Sequence, residues 1–126
     1  MVLTVGGSDS CGGAGIQADI KTLHALGVHG ACAVTSVTSQ NTREVKARFD
    51  LPAEVVASQM EAVFSDLEVA AAKTGMLADA DIVAAVAEVL GRQGVRRLVV
   101  DPVALSSSGQ SLMDAGGMEA LVERLL

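Results

Sequence analysis

The residues best suited to chemistry stand near the start of the chain, in VLTVGGSDSCGGAGIQADIKTLHAL between Val2 and Leu26. Gly6, Gly7, Gly12, Gly13 and Gly15 crowd between a strand-like run and a helix-like run, and Asp19 follows them. Glycines at such a junction let the main chain approach a ligand closely, and a helix N-terminus favours anions. Three readings compete: a nucleotide-phosphate loop, a dinucleotide turn, or a loop of small residues that only lets a helix pack on a sheet. A Walker-type loop needs G-x-x-x-x-G-K-[ST]; Gly7 and Gly12 have its spacing, but Gly13 stands in the lysine position. Gly13, Gly15 and Ala18 satisfy G-x-G-x-x-A, yet no acidic residue lies near the required offset of about 20 residues.

Asp19 weighs against a purely structural loop. Helical spacing puts it at the edge of the stripe formed by Ile16, Ile20 and Leu23. Its i+3 and i+4 neighbours, Thr22 and Leu23, are not cations, so no local ion pair accounts for it. A half-buried carboxylate behind a glycine loop is suited to accept a hydrogen bond from a ligand hydroxyl.

Periodicity supplies the elements that must position these groups. Val2–Gly7 reads as a strand, Ala14–Leu26 as a helix with Gly27 as its C-terminal cap, and Ala31–Thr38 as a strand buried on both faces. Val45, Ala47 and Phe49 alternate with charged residues, the mark of a half-exposed strand. A helix starts near Pro52 and carries Val56, Met60, Val63, Phe64 and Leu67 on its apolar side. Val69–Lys73 and Leu98–Asp101 read as strands. Ile82, Val83, Val86 and Leu90 mark a helix ending near Gly91 or Gly94, and Met118, Leu121, Val122 and Leu125 mark a last one. The alternation predicts a three-layer α/β fold with a mainly parallel sheet flanked by helices. In such a fold ligands bind beyond the C-terminal strand ends. Those ends are Gly7-Ser8-Asp9, Gln40-Asn41-Thr42, Thr74-Gly75-Met76 and Asp101-Pro102, which together describe one crevice.

Composition narrows the function. The 126 residues are half hydrophobic but only 2% aromatic, enough for one domain with an aliphatic core. A net charge of −6 argues against nucleic acid or an anionic membrane as partner. No apolar run approaches the roughly 20 residues of a spanning helix, and no leader pattern opens the chain. Cys11 and Cys32 form no metal or redox pair in sequence, which favours a cytoplasmic protein with reduced thiols. His24 and His29 read as surface positions, and Met60, Met113 and Met118 as filler of helix faces. Lys73, at a strand end, is expected to pair with a neighbouring carboxylate rather than to hold a phosphate.

GGSDSCGGAGIQADIKTLHALGVHG, SQNT, KTGML and DPV, in this order, resemble the hydroxymethylpyrimidine/phosphomethylpyrimidine kinases of thiamine biosynthesis, which have the ribokinase-like fold. The similarity runs over essentially the whole chain. It implies an ATP- and Mg²⁺-dependent kinase that phosphorylates the hydroxymethyl group of 4-amino-5-hydroxymethyl-2-methylpyrimidine and then its monophosphate. Carried over by position, Asp19 would hold the hydroxymethyl group and Gln40 the polar edge of the pyrimidine. Gly7 and Met76 would line the ring pocket, and the main chain around Gly13 would lie close to the substrate. Pyridoxine kinases share the loop but usually lack Gln-Asn-Thr, so Gln40-Asn41-Thr42 favours the pyrimidine. A pyridoxine or pyridoxal kinase fragment is the alternative within the fold, and a non-catalytic pyrimidine-binding module the alternative outside it.

The family's chains are longer than this one. Their further length carries a Pro-Asn-x-x-Glu segment, the ATP pocket, and a Gly-Thr-Gly-Cys or Gly-Thr-Gly-Asp loop that would steady the moving phosphoryl group. None of these motifs occurs here, and Cys11 does not match the catalytic cysteine. A lysine frequent after the Asp-Pro segment is replaced by serine at Ser106–Ser108. Residues 1–126 are therefore expected to be one α/β domain, the substrate-binding N-terminal portion, with no catalytic residue identified and no metal site. Alone, the chain is expected not to turn over. It is expected to form a homodimer or to await its C-terminal half.

Overall fold

The structure, a computed structural model, describes residues 1–106, 109 and 111–126. Its elements follow in the order β1 (Val2–Asp9), α1 (Gly15–Ala25), β2 (Gly30–Gln40), β3 (Val45–Asp50), α2 (Ala53–Asp66), β4 (Ala71–Thr74), α3 (Ala80–Arg92), β5 (Leu98–Val100) and α4 (Ala115–Leu125). The five strands form one sheet in the order β3-β2-β1-β4-β5. β2, β1, β4 and β5 run parallel, and β3 pairs antiparallel with β2 at the edge. The C-terminal ends of the four parallel strands therefore open on one side, as the alternation of elements predicts. The chain runs outward from β1 to β2, then crosses back to β4 on the other flank of β1. The β1–β4 boundary is thus the point where strand order reverses and a crevice must open.

Alternation along β1 builds the layers. Leu3 and Val5 point into a core shared with Val56 and Met60 of α2, Val83 and Val86 of α3 and Leu121 of α4. Thr4, between them, bonds Asp19 of α1 on the opposite face. One helix covers one face and three cover the other. Each fully buried Leu, Val or Ile side chain contributes about 1.5–3 kcal/mol through removal from water. Two helices have caps that the apolar pattern alone does not reveal. Asp79 accepts from the Ile82 N–H and Asp114 from the Gly117 N–H, each satisfying an orphan donor.

Two expectations need correction. The apolar run Ala31–Thr38 predicts burial on both faces, and the strand is not covered to its end. The start of β2 lies under α1, with Gly30 against Leu23 and Ile20, and its middle lies under α2, where Gln59 bonds Val34. Beyond that cover Val37 stands 49% exposed beside its cross-strand partner Phe49, which is 68% exposed. The alternation of β3 does form a strand, but its apolar members Ala47 and Phe49 face solvent instead of core. Strand and helix limits otherwise shift by a few residues; β4 begins at Ala71 where the apolar run suggests Val69. His24 and His29 are exposed, Met60 and Met113 are buried, and Met118 packs against the core.

Candidate functional site

The glycine loop is organised by a residue that spacing alone does not single out. Asp9 ends β1 and is 4% exposed. Its Oδ1 accepts from the Cys11 N–H at 2.9 Å, and its Oδ2 accepts from the N–H groups of Gly13 at 2.9 Å and Ala14 at 2.8 Å. The Asp9 carbonyl takes the Gly12 N–H at 3.0 Å. Successive N–H groups in a turn form an anion-binding concavity, and here the anion is the chain's own carboxylate. The N-cap of α1, Ala14, has no side chain that can cap, so Asp9 supplies the negative charge favoured at a helix start. Burial pushes the Asp9 carboxyl up, but the three main-chain donors, with a contribution from the Cys11 thiol, outweigh it and hold it below the usual value of 3.8.

Side chains brace this loop from three sides. Gln17 of α1 accepts from the Asp9 N–H at 2.8 Å and donates to Ser8 Oγ at 2.7 Å. Ser10 exchanges two hydrogen bonds with the Gln40 main chain, at 2.7 and 2.8 Å. Lys21 donates to the Gly12 carbonyl at 2.7 Å. Gly15 has φ +58°, and a Cβ there would overlap the Gly7 carbonyl oxygen. Only glycine fits at that position.

Asp19 stands on α1, and its surroundings differ. Its Oδ2 accepts from Thr4 Oγ1 at 2.5 Å, and both oxygens face Lys73 Nζ at 3.0 and 3.1 Å. Lys73 also reaches Asp101 Oδ2 at 3.7 Å. The cation that no i+3 or i+4 neighbour supplies comes instead from β4, 54 residues away in sequence. Lys73 pairs with a carboxylate, as its place at a strand end suggests.

A cavity of about 380 Å³ opens over these groups at the β1–β4 crevice, within the range of small-molecule sites. Gly7, Asp19, Gln40 and Met76 all line it. Met76 is buried, its carbonyl takes the Thr35 hydroxyl at 2.6 Å, and its methyl group lies over Gly7, where a Cβ would come within 2.8 Å. The Thr38 hydroxyl donates to the Ser8 carbonyl at 2.9 Å and shares its proton with Gln40 Oε1 at 3.1 Å. Gly13 does not line the cavity, although its neighbours Ala14 and Gly15 do; its N–H is committed to Asp9. Ser106 is in the wall, and Ser107 and Ser108 lie outside the described residues.

The arrangement can hold a small, partly apolar ring against a wall that includes Gly7 and Met76, and present a carboxylate to a hydroxyl. It does not fit a nucleotide phosphate at the loop, because the N–H groups that would cradle one are spent on Asp9. Among the described residues no group of three or more side chains could hold a metal ion, and no helix is long and apolar enough to cross a membrane.

Comparison with known proteins gives this α/β crevice a class: its structural neighbours are ribokinase-like kinases of small molecules. The model of the phosphomethylpyrimidine kinase family matches residues 9–126, and the chain belongs to that family. It is 52% identical over 126 residues to a hydroxymethylpyrimidine/phosphomethylpyrimidine kinase of Rhizobium meliloti, covering 100% of this chain and 47% of the relative. A crystal structure of phosphomethylpyrimidine kinase from Clostridium difficile superimposes with a TM-score of 0.91 at 44% identity, covering 98% of this chain and 54% of the other. Pyridoxal kinase from Staphylococcus aureus, solved with AMP-PCP and pyridoxal, is more distant: TM-score 0.81 at 34% identity, covering 98% and 43%. The chain spans about half the length of the curated relatives it matches.

Proposed function

We propose that this chain is the acceptor-binding portion of an ATP-dependent kinase of thiamine biosynthesis. In this reading the kinase phosphorylates the hydroxymethyl group of the pyrimidine precursor and then the resulting monophosphate. The observation that carries the reading is Asp19, a carboxylate fixed by Thr4 and Lys73 on the wall of a cavity that Gly7 and Met76 also line. Asp19 accepts the hydrogen bond of the substrate hydroxyl and aligns its oxygen for attack. Gln40, whose main chain is tied to Ser10, reads the polar edge of the ring. The main chain from Gly13 to Gly15, held by Asp9, closes the site beside the ring.

The class of reaction explains what this portion must do. Phosphoryl transfer depends on positioning the acceptor and on stabilising charge around the moving phosphate. The described residues serve the first task. ATP supplies the phosphoryl group and Mg²⁺ its charge compensation, and we assign both to the length of the relatives that this chain does not span. Two unpaired cysteines support a cytoplasmic setting.

Calorimetry with the hydroxymethylpyrimidine tests the reading. Asp19→Ala and Gln40→Ala are each expected to weaken binding by about 0.5–1.5 kcal/mol, with the larger loss at Asp19, where the bond is to a charged group. Unchanged affinity in both variants sinks the assignment. Tighter binding of pyridoxal than of the pyrimidine moves the chain to the vitamin B6 branch. With ATP and Mg²⁺ present, chromatography is expected to show no conversion; turnover that survives repurification and disappears in Asp19→Ala would place a donor site within these residues.

A further inference from the structure

The proposed substrate and its first product differ by one phosphate, so a single cavity must admit both a neutral alcohol and a phosphomonoester. The latter carries a charge of about −1.5 to −2 near neutrality. Among the described residues the charged side chains of the cavity wall are Asp9, Asp19, Asp101 and Lys73. The Asp9 charge is met by main-chain N–H groups, which leaves two carboxylates and one ammonium facing the acceptor. A phosphomonoester next to Asp19 meets like charge on two sides, and Lys73 is the cation that can offset it.

We propose that Lys73 is the specificity-determining residue that lets this cavity take the phosphorylated acceptor as well as the alcohol; the inference rests on the acceptor reading above. Its geometry suits the task. Nζ has three N–H donors; Asp19 engages it at 3.0 and 3.1 Å, while Asp101 holds it only at 3.7 Å. The donor directed at Asp101 is the one a phosphate oxygen can take over, because Asp101 is itself half-exposed and can turn to water. Gly75, also in the wall, keeps the path open: a Cβ there would lie 3.1 Å from Nζ. The alcohol needs only the acceptor oxygens of Asp19. The phosphomonoester needs the ammonium.

The test is calorimetric titration of the 126-residue chain with the hydroxymethylpyrimidine and, separately, with its monophosphate. In Lys73→Met the monophosphate is expected to lose at least tenfold more affinity than the alcohol, and Lys73→Arg is expected to restore most of that difference. Asp101→Asn frees the ammonium from its second partner and is expected to tighten the monophosphate several-fold relative to the alcohol. That variant leaves Lys73 and Asp19 in place, so it decides the matter even where Lys73→Met fails to fold. Equal losses for both ligands in Lys73→Met, or no relative gain in Asp101→Asn, overturn the inference while the acceptor reading stands. Failure of the unaltered chain to bind either ligand overturns both.

Discussion

Two carboxylates ten positions apart, Asp9 and Asp19, stand on the wall of the same cavity and do opposite work. Asp9 is buried and spends its oxygens on three main-chain N–H groups of its own loop. Asp19 keeps a quarter of its side chain open and is held by side chains from two strands, Thr4 and Lys73. The difference lies in what surrounds them. A carboxylate ringed by backbone donors fixes a loop, and its lone pairs are no longer available. A carboxylate held by a hydroxyl and an ammonium retains room for a further donor. Burial alone would rank Asp9 as the functional group, and the hydrogen-bond inventory reverses that order.

The largest expected effect concerns the loop that Asp9 organises. Gly15→Ala places a Cβ against the Gly7 carbonyl oxygen at φ +58°. Left-handed backbone alone costs an L residue roughly 1–2 kcal/mol, and the overlap adds to it, so thermal melts should show a loss beyond that range. Gly13→Ala is the control. A Cβ there would meet Cys11 Sγ at 3.7 Å and Asp9 Oδ2 at 3.8 Å, ordinary contacts, and the change should stay within about 0.5 kcal/mol. Similar losses at both glycines would mean that the loop is not built as described.

Asp9→Asn should come next, at about 1–3 kcal/mol, because an amide cannot accept from donors on both sides and leaves buried N–H groups unmet. The cost should appear in stability, whereas Asp19→Ala should show first in ligand affinity. Acid sharpens the contrast. The folded Asp9 carboxyl lies below its ordinary value of 3.8, so its stabilisation is fully present above that value and is lost as pH falls through the lower, folded one. Urea midpoints measured downward from neutrality should therefore converge for wild type and Asp9→Asn in strong acid. A gap that stays constant would show that the Asp9 charge does not hold the loop.

Much of this architecture is legible in the sequence, because local patterns carry it. The aliphatic stripes of α2 and α3 and the strand ends that define the crevice follow from periodicity. Long-range chemistry is less legible. Helical spacing shows that Asp19 has no cation at i+3 or i+4 in its own helix, but it cannot show that β4 brings Lys73 beside it. The role of Asp9 has a sequence signal, an aspartate just ahead of a glycine-rich turn, whose short side chain can reach nearby main-chain N–H groups. The exposure of the strip at Val37 and Phe49 is not legible for another reason. Alternation reports which residues share a face, and only packing decides whether anything covers that face.

The smallest expected effect separates the brace from the anchor. Lys21 reaches over the loop to the Gly12 carbonyl at 2.7 Å, at an exposed position. An intramolecular hydrogen bond contributes about 0.5–1.5 kcal/mol net, and water competes for an exposed one, so Lys21→Met should fall at or below the lower end of that range. Gly12 sits at φ +74°, and a Cβ there would lie 2.9 Å from Lys21 Nζ, so the glycine and the lysine fit each other. Losing the lysine should loosen the Gly12 peptide while the N–H groups of Cys11, Gly13 and Ala14 stay bound to Asp9. Amide hydrogen exchange can see this directly. In Lys21→Met those three amides should keep their protection, and in Asp9→Asn they should lose it. If Lys21→Met strips them as fully as Asp9→Asn does, the lysine rather than the aspartate organises the loop, and the division of labour between Asp9 and Asp19 must be redrawn.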